Sequence, residues 1–179
     1  MSTLQEYLHH KRAALYTLRS RDPLQVEPLV LKARASAEGR SGVRRIRIRH
    51  HQVISDSPSD FAGYDLGPAS PELLLGSLSS CLTHIFLIQA SDLQIPLDRL
   101  EVEVQGLQDP RAGQPGHEST PIHPYDIQYT VELESAASPE KIEQLYAAVR
   151  QACPVLQLLN RPQSVTGHLI HNGERFKEA

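Results

Sequence analysis

The chain has 179 residues, with 18 Lys and Arg against 21 Asp and Glu, a formal net charge of −3, 40% hydrophobic residues and two cysteines. That length suits one domain with its own core, and the slightly acidic balance argues against a nucleic-acid binder that depends on a basic field. No purely apolar run reaches the ~18 residues that cross a bilayer, and two cysteines cannot build a disulfide scaffold, so the expectation is a cytoplasmic protein without membrane or nucleic-acid partners, in which any thiol chemistry is transient.

Residues 3–20 read as an amphipathic helix. Leu4, Leu8, Leu15 and Leu18 keep a roughly helical spacing, with Lys11, Arg12 and Arg19 between them, and Asp22-Pro23 stops it. The first stretch also carries charges where a signal peptide needs its apolar segment. A strand is expected from Val26 to Ala37, a hairpin turn at Glu38-Gly39-Arg40-Ser41-Gly42, and a further strand from Val43 to Val53. There Ile46 and Ile48 alternate with Arg45, Arg47 and Arg49, which predicts one buried and one charged face. Without aromatic residues to stack on bases, those arginines read as a solvated face. Residues 55–70 form a loop rich in Ser, Asp, Gly and Pro, long enough to wall or cover a site.

The next segment, SPELLLGSLSSCLTHIFLIQAS, predicts a central helix. Ser70 is placed as its N-cap, Pro71 suits the first turn, and Glu72 complements the positive end of the dipole. Leu74, Leu78, Cys81, Leu82 and Ile85 share a face, Leu73, Leu75, Phe86 and Ile88 make other faces apolar, and no charge occurs from Leu73 to Ala90. A helix apolar on most sides belongs in a core. Strands follow at 100–107 and 125–134 around a loop rich in Pro, Gly and His, then a helix opened by Ser138-Pro139-Glu140 and interrupted at Pro154, and a last strand at 163–171. The order α-βββ-α-ββ-α-β is not a strict βαβ alternation, so the fold class is α+β. Residues 1–22 read as a helical extension and 23–179 as a single domain.

Cys81 and Cys153 taken alone fit inert core thiols as well as reactive ones. Cys81-Leu82-Thr83-His84 has a spacing that zinc uses, but nothing in the sequence joins it to His117, His123, His168 or His171, so no metal is expected. A Cys–His hydrolase would need a nucleophile turn where the sequence has mid-helix residues, and the glycine loops that cradle phosphates are absent.

The run Ser55-Asp56-Ser57-Pro58, Gly67-Pro68, Ser70-Pro71-Glu72-Leu73-Leu74-Leu75 and Ser80-Cys81, followed far along the chain by Cys153-Pro154-Val155, resembles the OsmC/Ohr family, closest to its general OsmC-like branch, over residues 30–171. The resemblance implies antiparallel sheets packed around long buried central helices in an intertwined homodimer, with sites at the subunit interface. It implies a thiol peroxidase that takes small organic hydroperoxides. Cys81 would become a sulfenic acid, Cys153 would resolve it as a disulfide, and an external dithiol, of lipoyl type in the better-known members, would regenerate the pair with no bound cofactor.

Such a site needs the thiolate, which apolar surroundings disfavour, and Cys81 lies about three turns past the helix start, beyond the dipole's first-turn reach. The resemblance points to Arg40 as the activating cation, because its turn is similar to the Gly-Gly-Arg-Asp-Gly run of the Ohr branch, with Glu72 orienting it; Arg34, Arg45 and Arg47 are alternatives. Nine residues place Glu72 and Cys81 on opposite helix faces, about 13 Å apart along the axis, so they would meet only across subunits or through a bent helix start. The rival expectation is a non-catalytic OsmC-like protein that binds a small apolar ligand in the dimer-interface cavity.

Overall fold

Leu78, Leu82, Ile85, Phe86 and Ala90 recur at three- and four-residue steps, and helix α2 (Ser70–Leu93) turns them to one side, where all are buried. The computed structural model describes residues 3–175, and everything else in it is arranged around that stripe. Strands β4 (Arg99–Leu107) and β5 (Tyr125–Glu134) pair antiparallel with Val102 opposite Val131. Their period-2 alternation turns Leu100, Val102, Val104, Ile127, Val131 and Leu133 toward the core and leaves Glu101, Glu103, Glu132 and Glu134 exposed. The Ser79 hydroxyl donates to the Val102 carbonyl at 2.8 Å and ties α2 to this ribbon.

Two further helices close the core. In α3 (Pro139–Ala152), Leu145 and Val149 are buried one turn apart; Pro154, which cannot continue the hydrogen-bond ladder, starts the short α4 (Pro154–Leu159) with Leu156 facing inward. The N-terminal helix α1 (Thr3–Arg19) packs along α2 through Leu8 and is held by ion pairing of Arg19 with Asp92 (2.8 Å) and by Gln5 donating to Asp98 (2.7 Å). Among the described residues α2 is the one helix long and apolar enough to cross a membrane, yet its buried stripe serves a protein core.

The remaining strands, β1 (Arg34–Ala37), β2 (Arg44–Ile48) and β3 (His51–Ser55), form a separate antiparallel sheet in the order β1-β2-β3. This sheet makes little contact with the α2 core of its own chain. It is joined to α2 by the 56–69 loop, which Asp56 organises. The fully buried Asp56 carboxylate accepts the backbone N–H groups of Ser57 (2.8 Å), Tyr64 (2.9 Å) and Leu66 (3.2 Å). Burial pushes that carboxyl up, but the three N–H donors together with Arg44 outweigh it and hold it below the usual carboxylate range. Gly63 crosses so close to Ser57 that a Cβ there would lie 1.8 Å from its carbonyl oxygen.

Four local expectations are corrected. The strand placed at Val26–Ala37 exists only at Arg34–Ala37; residues 26–33 are exposed and form no strand, because no described strand of this chain pairs with them. The single strand at Val43–Val53 is two, broken where Arg49 takes a left-handed φ of 55° in the turn before His51. The last strand at 163–171 shrinks to a minimal hairpin, β6 (Ile170–His171) with β7 (Glu174–Arg175), across Asn172-Gly173, both at positive φ. Ser70 is not the N-cap of α2: Ala69 occupies that position, and its N–H is satisfied by Glu72 reaching back at 2.6 Å.

Candidate functional site

Cys81 follows Leu78 by three residues and so lies at the edge of the buried stripe of α2, partly accessible. Cys153 is carried to the same place by a different device. It sits at the joint between α3 and α4, its N–H bonded to the Val149 carbonyl at 3.0 Å, where the turn forced by Pro154 drives the side chain into the core at 0% exposure. The two sulfurs stand 3.5 Å apart as free thiols, with Cys153 donating toward Cys81. A disulfide needs about 2.0 Å, so closure requires the sulfurs to approach by about 1.5 Å.

Electrostatics separates the pair. Burial above all pushes the Cys153 thiol up, and the interaction with Cys81 adds to this, against the opposing pull of the Leu156 and Val155 backbone N–H groups. Burial therefore favours the protonated form of Cys153, whose thiol donates toward Cys81.

On the Cys81 side lies an open cleft of about 680 Å³ along α2, lined by Pro68, Glu72, Ser77, Ser80, Cys81 and His84 among others. On the Cys153 side lies a smaller cavity of about 290 Å³ between α2, β5, α3 and α4, with apolar walls from Leu78, Ile127 and Leu156 and polar groups from Tyr129, Arg150 and Asn160. The Tyr129 and Tyr146 hydroxyls are 3.0 Å apart, and the Arg150 guanidinium stands 5.9 Å over the Tyr146 ring. Burial, then the hydrogen bond with Tyr146, push the Tyr129 phenol up to about 12, so it remains a neutral donor beside Cys153.

Of the residues singled out in the sequence, the structure brings Cys81 and Cys153 together. Glu72 borders the same cleft as Cys81, because that cleft runs obliquely along the helix, but its carboxylate is engaged with the Ala69 N–H. Arg40 lies exposed on the β1–β2 turn and does not line the cleft. Of the alternatives, Arg45 is paired with Glu38 (2.7 Å), while Arg34 and Arg47 face each other across β1 and β2 in a groove with Lys32 and Arg49. Among the described residues, no Arg or Lys lines the Cys81 cleft.

His84 lines it beside Glu72, Ser77 and Ser80; in the sequence it stood in a zinc-like spacing with Cys81. No cluster of three or more His, Cys, Asp or Glu that could hold a metal occurs among the described residues. Tyr129 and Arg150 were also missed. Arg150, three residues before Cys153 on one helix, was recoverable from spacing, whereas nothing local in β5 distinguishes Tyr129 from its neighbours.

The family model described as OsmC-like protein matches residues 63–167, which include both cysteines and the whole of helix α2. Among solved structures, the OsmC-like protein of Mycoplasma pneumoniae aligns with a TM-score of 0.63 at 18% identity, over 75% of this chain and 89% of its own. An OsmC-like protein of unknown function from Vibrio cholerae gives 0.56 at 10% identity over 73% and 94%. The organic hydroperoxide resistance protein OsmC of Legionella pneumophila gives 0.53 at 13% identity over 75% and 91%. At such identities the likeness establishes the fold alone. No curated protein matches the sequence.

Proposed function

The chain belongs to the OsmC-like family, and from that premise we propose that it is a peroxidase that reduces organic hydroperoxides through Cys81 and Cys153. The observation that carries this reading is the 3.5 Å approach of two free thiols separated by 72 positions, one open to a cleft and the other sealed behind it. That some solved relatives bear the name hydroperoxide resistance protein supports it.

Cys81, as thiolate, attacks the terminal peroxide oxygen. A sulfur–oxygen bond forms, the O–O bond breaks, Cys81 becomes a sulfenic acid and the alkoxide leaves as alcohol after taking a proton. Cys153 then attacks the Cys81 sulfur; the disulfide forms and the hydroxyl departs as water with the Cys153 proton. An external dithiol returns both thiols by exchange, and no bound cofactor takes part. The apolar wall that Leu73 gives the Cys81 cleft favours an alkyl peroxide over hydrated hydrogen peroxide.

The reading includes a homodimer. Only 22% of the most apolar window of α2 is buried within one chain, the β1–β3 sheet makes little contact with its own core, and Leu24, Leu29 and Leu31 of the extended arm are 87–96% exposed. A second copy that covers these surfaces would also be the route by which Arg40 reaches a sulfur. A reversible thiol pair suits the reducing cytoplasm.

The test is peroxide consumption by reduced protein supplied with a dithiol such as dihydrolipoamide. Cumene hydroperoxide is expected to be turned over faster than hydrogen peroxide. If neither is consumed under any dithiol, the peroxidase reading is abandoned and the scaffold's task is binding.

A further inference from the structure

The cavity between α2, β5, α3 and α4 is rich in hydrogen-bond donors and poor in acceptors. Its polar wall comes from Tyr129, Arg150 and Asn160, and no Asp or Glu lines it among the described residues. The Tyr129 and Tyr146 hydroxyls share one bond of 3.0 Å, which uses one of their two protons; neither hydroxyl meets another partner among those residues. Arg150 stands in the last turn of α3, where the helix dipole favours a cation. Its guanidinium nevertheless has no hydrogen-bonded acceptor and no ion pair among the described residues, only the Tyr146 ring at 5.9 Å, and the Asn160 side-chain amide is likewise without a partner there.

We propose that this cavity is a binding site for a small organic monocarboxylate, with its apolar body against Leu78, Ile127 and Leu156 and its carboxylate on Arg150, Asn160 and the spare phenol proton. The volume of about 290 Å³ is close to the lower end of the ~300–1,000 Å³ range of small-molecule pockets, which sets the body at a short chain or a single ring. No residue is common to the linings of this cavity and the Cys81 cleft, so the site is independent of the sulfur that attacks peroxide.

The donor set selects the ligand. A guanidinium fork matches the two oxygens of a carboxylate, whereas an ammonium would meet a like charge and few acceptors. A purely apolar guest would leave the donors unpaired as it displaced their water. Burial, then the bond with Tyr146, keep the Tyr129 phenol protonated up to about 12, so it can donate wherever a carboxylate is ionised. The Arg150 charge acts on that same phenol in the opposite direction, which puts the two groups within electrostatic reach of each other. The recess is also held open by the backbone: the Gln157 amide donates to the Arg150 carbonyl at 2.8 Å, and the Asn160 N–H donates to the Leu156 carbonyl at 3.1 Å.

The experiment titrates octanoate into the reduced full-length protein by calorimetry, with octanol and octylamine as probes that keep the body and remove or reverse the charge. Octanoate should bind about tenfold tighter than either or better, and Arg150→Gln should weaken it by about ten- to a hundredfold, the worth of a charge-assisted hydrogen bond, with the circular dichroism unchanged. Asn160→Leu, which keeps the guanidinium, should weaken it by a smaller factor. The titration is repeated on protein whose Cys81 has been blocked with iodoacetamide, where octanoate affinity should be retained. Loss of binding on blocking would put the acid in the Cys81 cleft and overturn the proposal. Equal affinity for octanoate and octanol, or for wild type and Arg150→Gln, would overturn it as well, since either result means apolar adsorption without recognition of the charge.

Discussion

The two sides of the sulfur pair differ more than the short distance between them suggests. Cys81 opens on a broad cleft walled by α2 and the end of the 56–69 loop, polar through Ser77, Ser80 and His84. Cys153 is at 0% exposure; the narrow cavity between helices and β5 on its side is lined by Tyr129, Arg150 and Asn160 as polar groups, and Cys153 itself does not open into it. One sulfur can meet a substrate, and the other can meet only its partner. The difference teaches that order in a two-thiol cycle is set by access and proton affinity together: burial keeps Cys153 protonated until an oxidised Cys81 gives it an electrophile to attack.

Removing either sulfur breaks this comparison most directly. Cys81→Ser should abolish peroxide turnover altogether. Cys153→Ser should still consume about one equivalent of peroxide, since one thiol yields one sulfenic acid, and then stop. Intact-mass measurement would find that variant one oxygen heavier and trapped by a sulfenic-acid reagent. Unchanged cycling without Cys153 would remove it from the mechanism.

The pair was legible in the sequence because both cysteines carry local marks: an uncharged helix opened by Ser70-Pro71-Glu72 for the first, and a proline directly after the second. Spacing alone left the two as inert core thiols; their convergence was implied by the family resemblance. What the sequence concealed was pairing and company. Val26–Leu31 has the β-branched and leucine-rich composition of a strand, yet stays unpaired within this chain, because composition records a tendency and a ladder needs a neighbour. Arg49 breaks the 43–53 strand without a glycine or proline to announce it. Arg40 sits in the turn that its motif predicted, but a turn motif says nothing about what faces it, and within one chain Arg40 does not line the cleft.

A smaller effect sharpens the contrast from the core side. As Cys153 attacks, it gives up a proton that burial makes it hold, so disulfide formation should accelerate with rising pH through and above the ordinary thiol range. The neutral Tyr129 phenol stands within electrostatic reach of that sulfur, bonded to Tyr146. Tyr129→Phe should slow the sulfenic-to-disulfide step by about two- to tenfold, the worth of one ordinary hydrogen bond, and leave peroxide attack on Cys81 untouched. Rapid-quench mass spectrometry separates the two steps. An equal slowing of both would mean that the cavity and the cleft are not independent.

The smallest expected effect lies on the cleft side and away from the chemistry. Asp56 gathers three backbone N–H groups and so fixes the loop whose end, Pro68, borders Cys81. Its carboxyl is held below the usual range in the folded chain, so the stability it contributes is fully present above the unfolded carboxylate value and is lost as pH falls through the lower folded one. Asp56→Ala leaves those donors without their acceptor at every pH. It should lower the melting temperature by a few degrees and quicken cleavage by proteases within 57–68, while Cys153 stays as resistant to alkylation as in the wild type because nothing around it touches this loop. A Cys153 that became reactive along with Cys81 would show that the loop secures the core itself, and access would then no longer distinguish the two sulfurs.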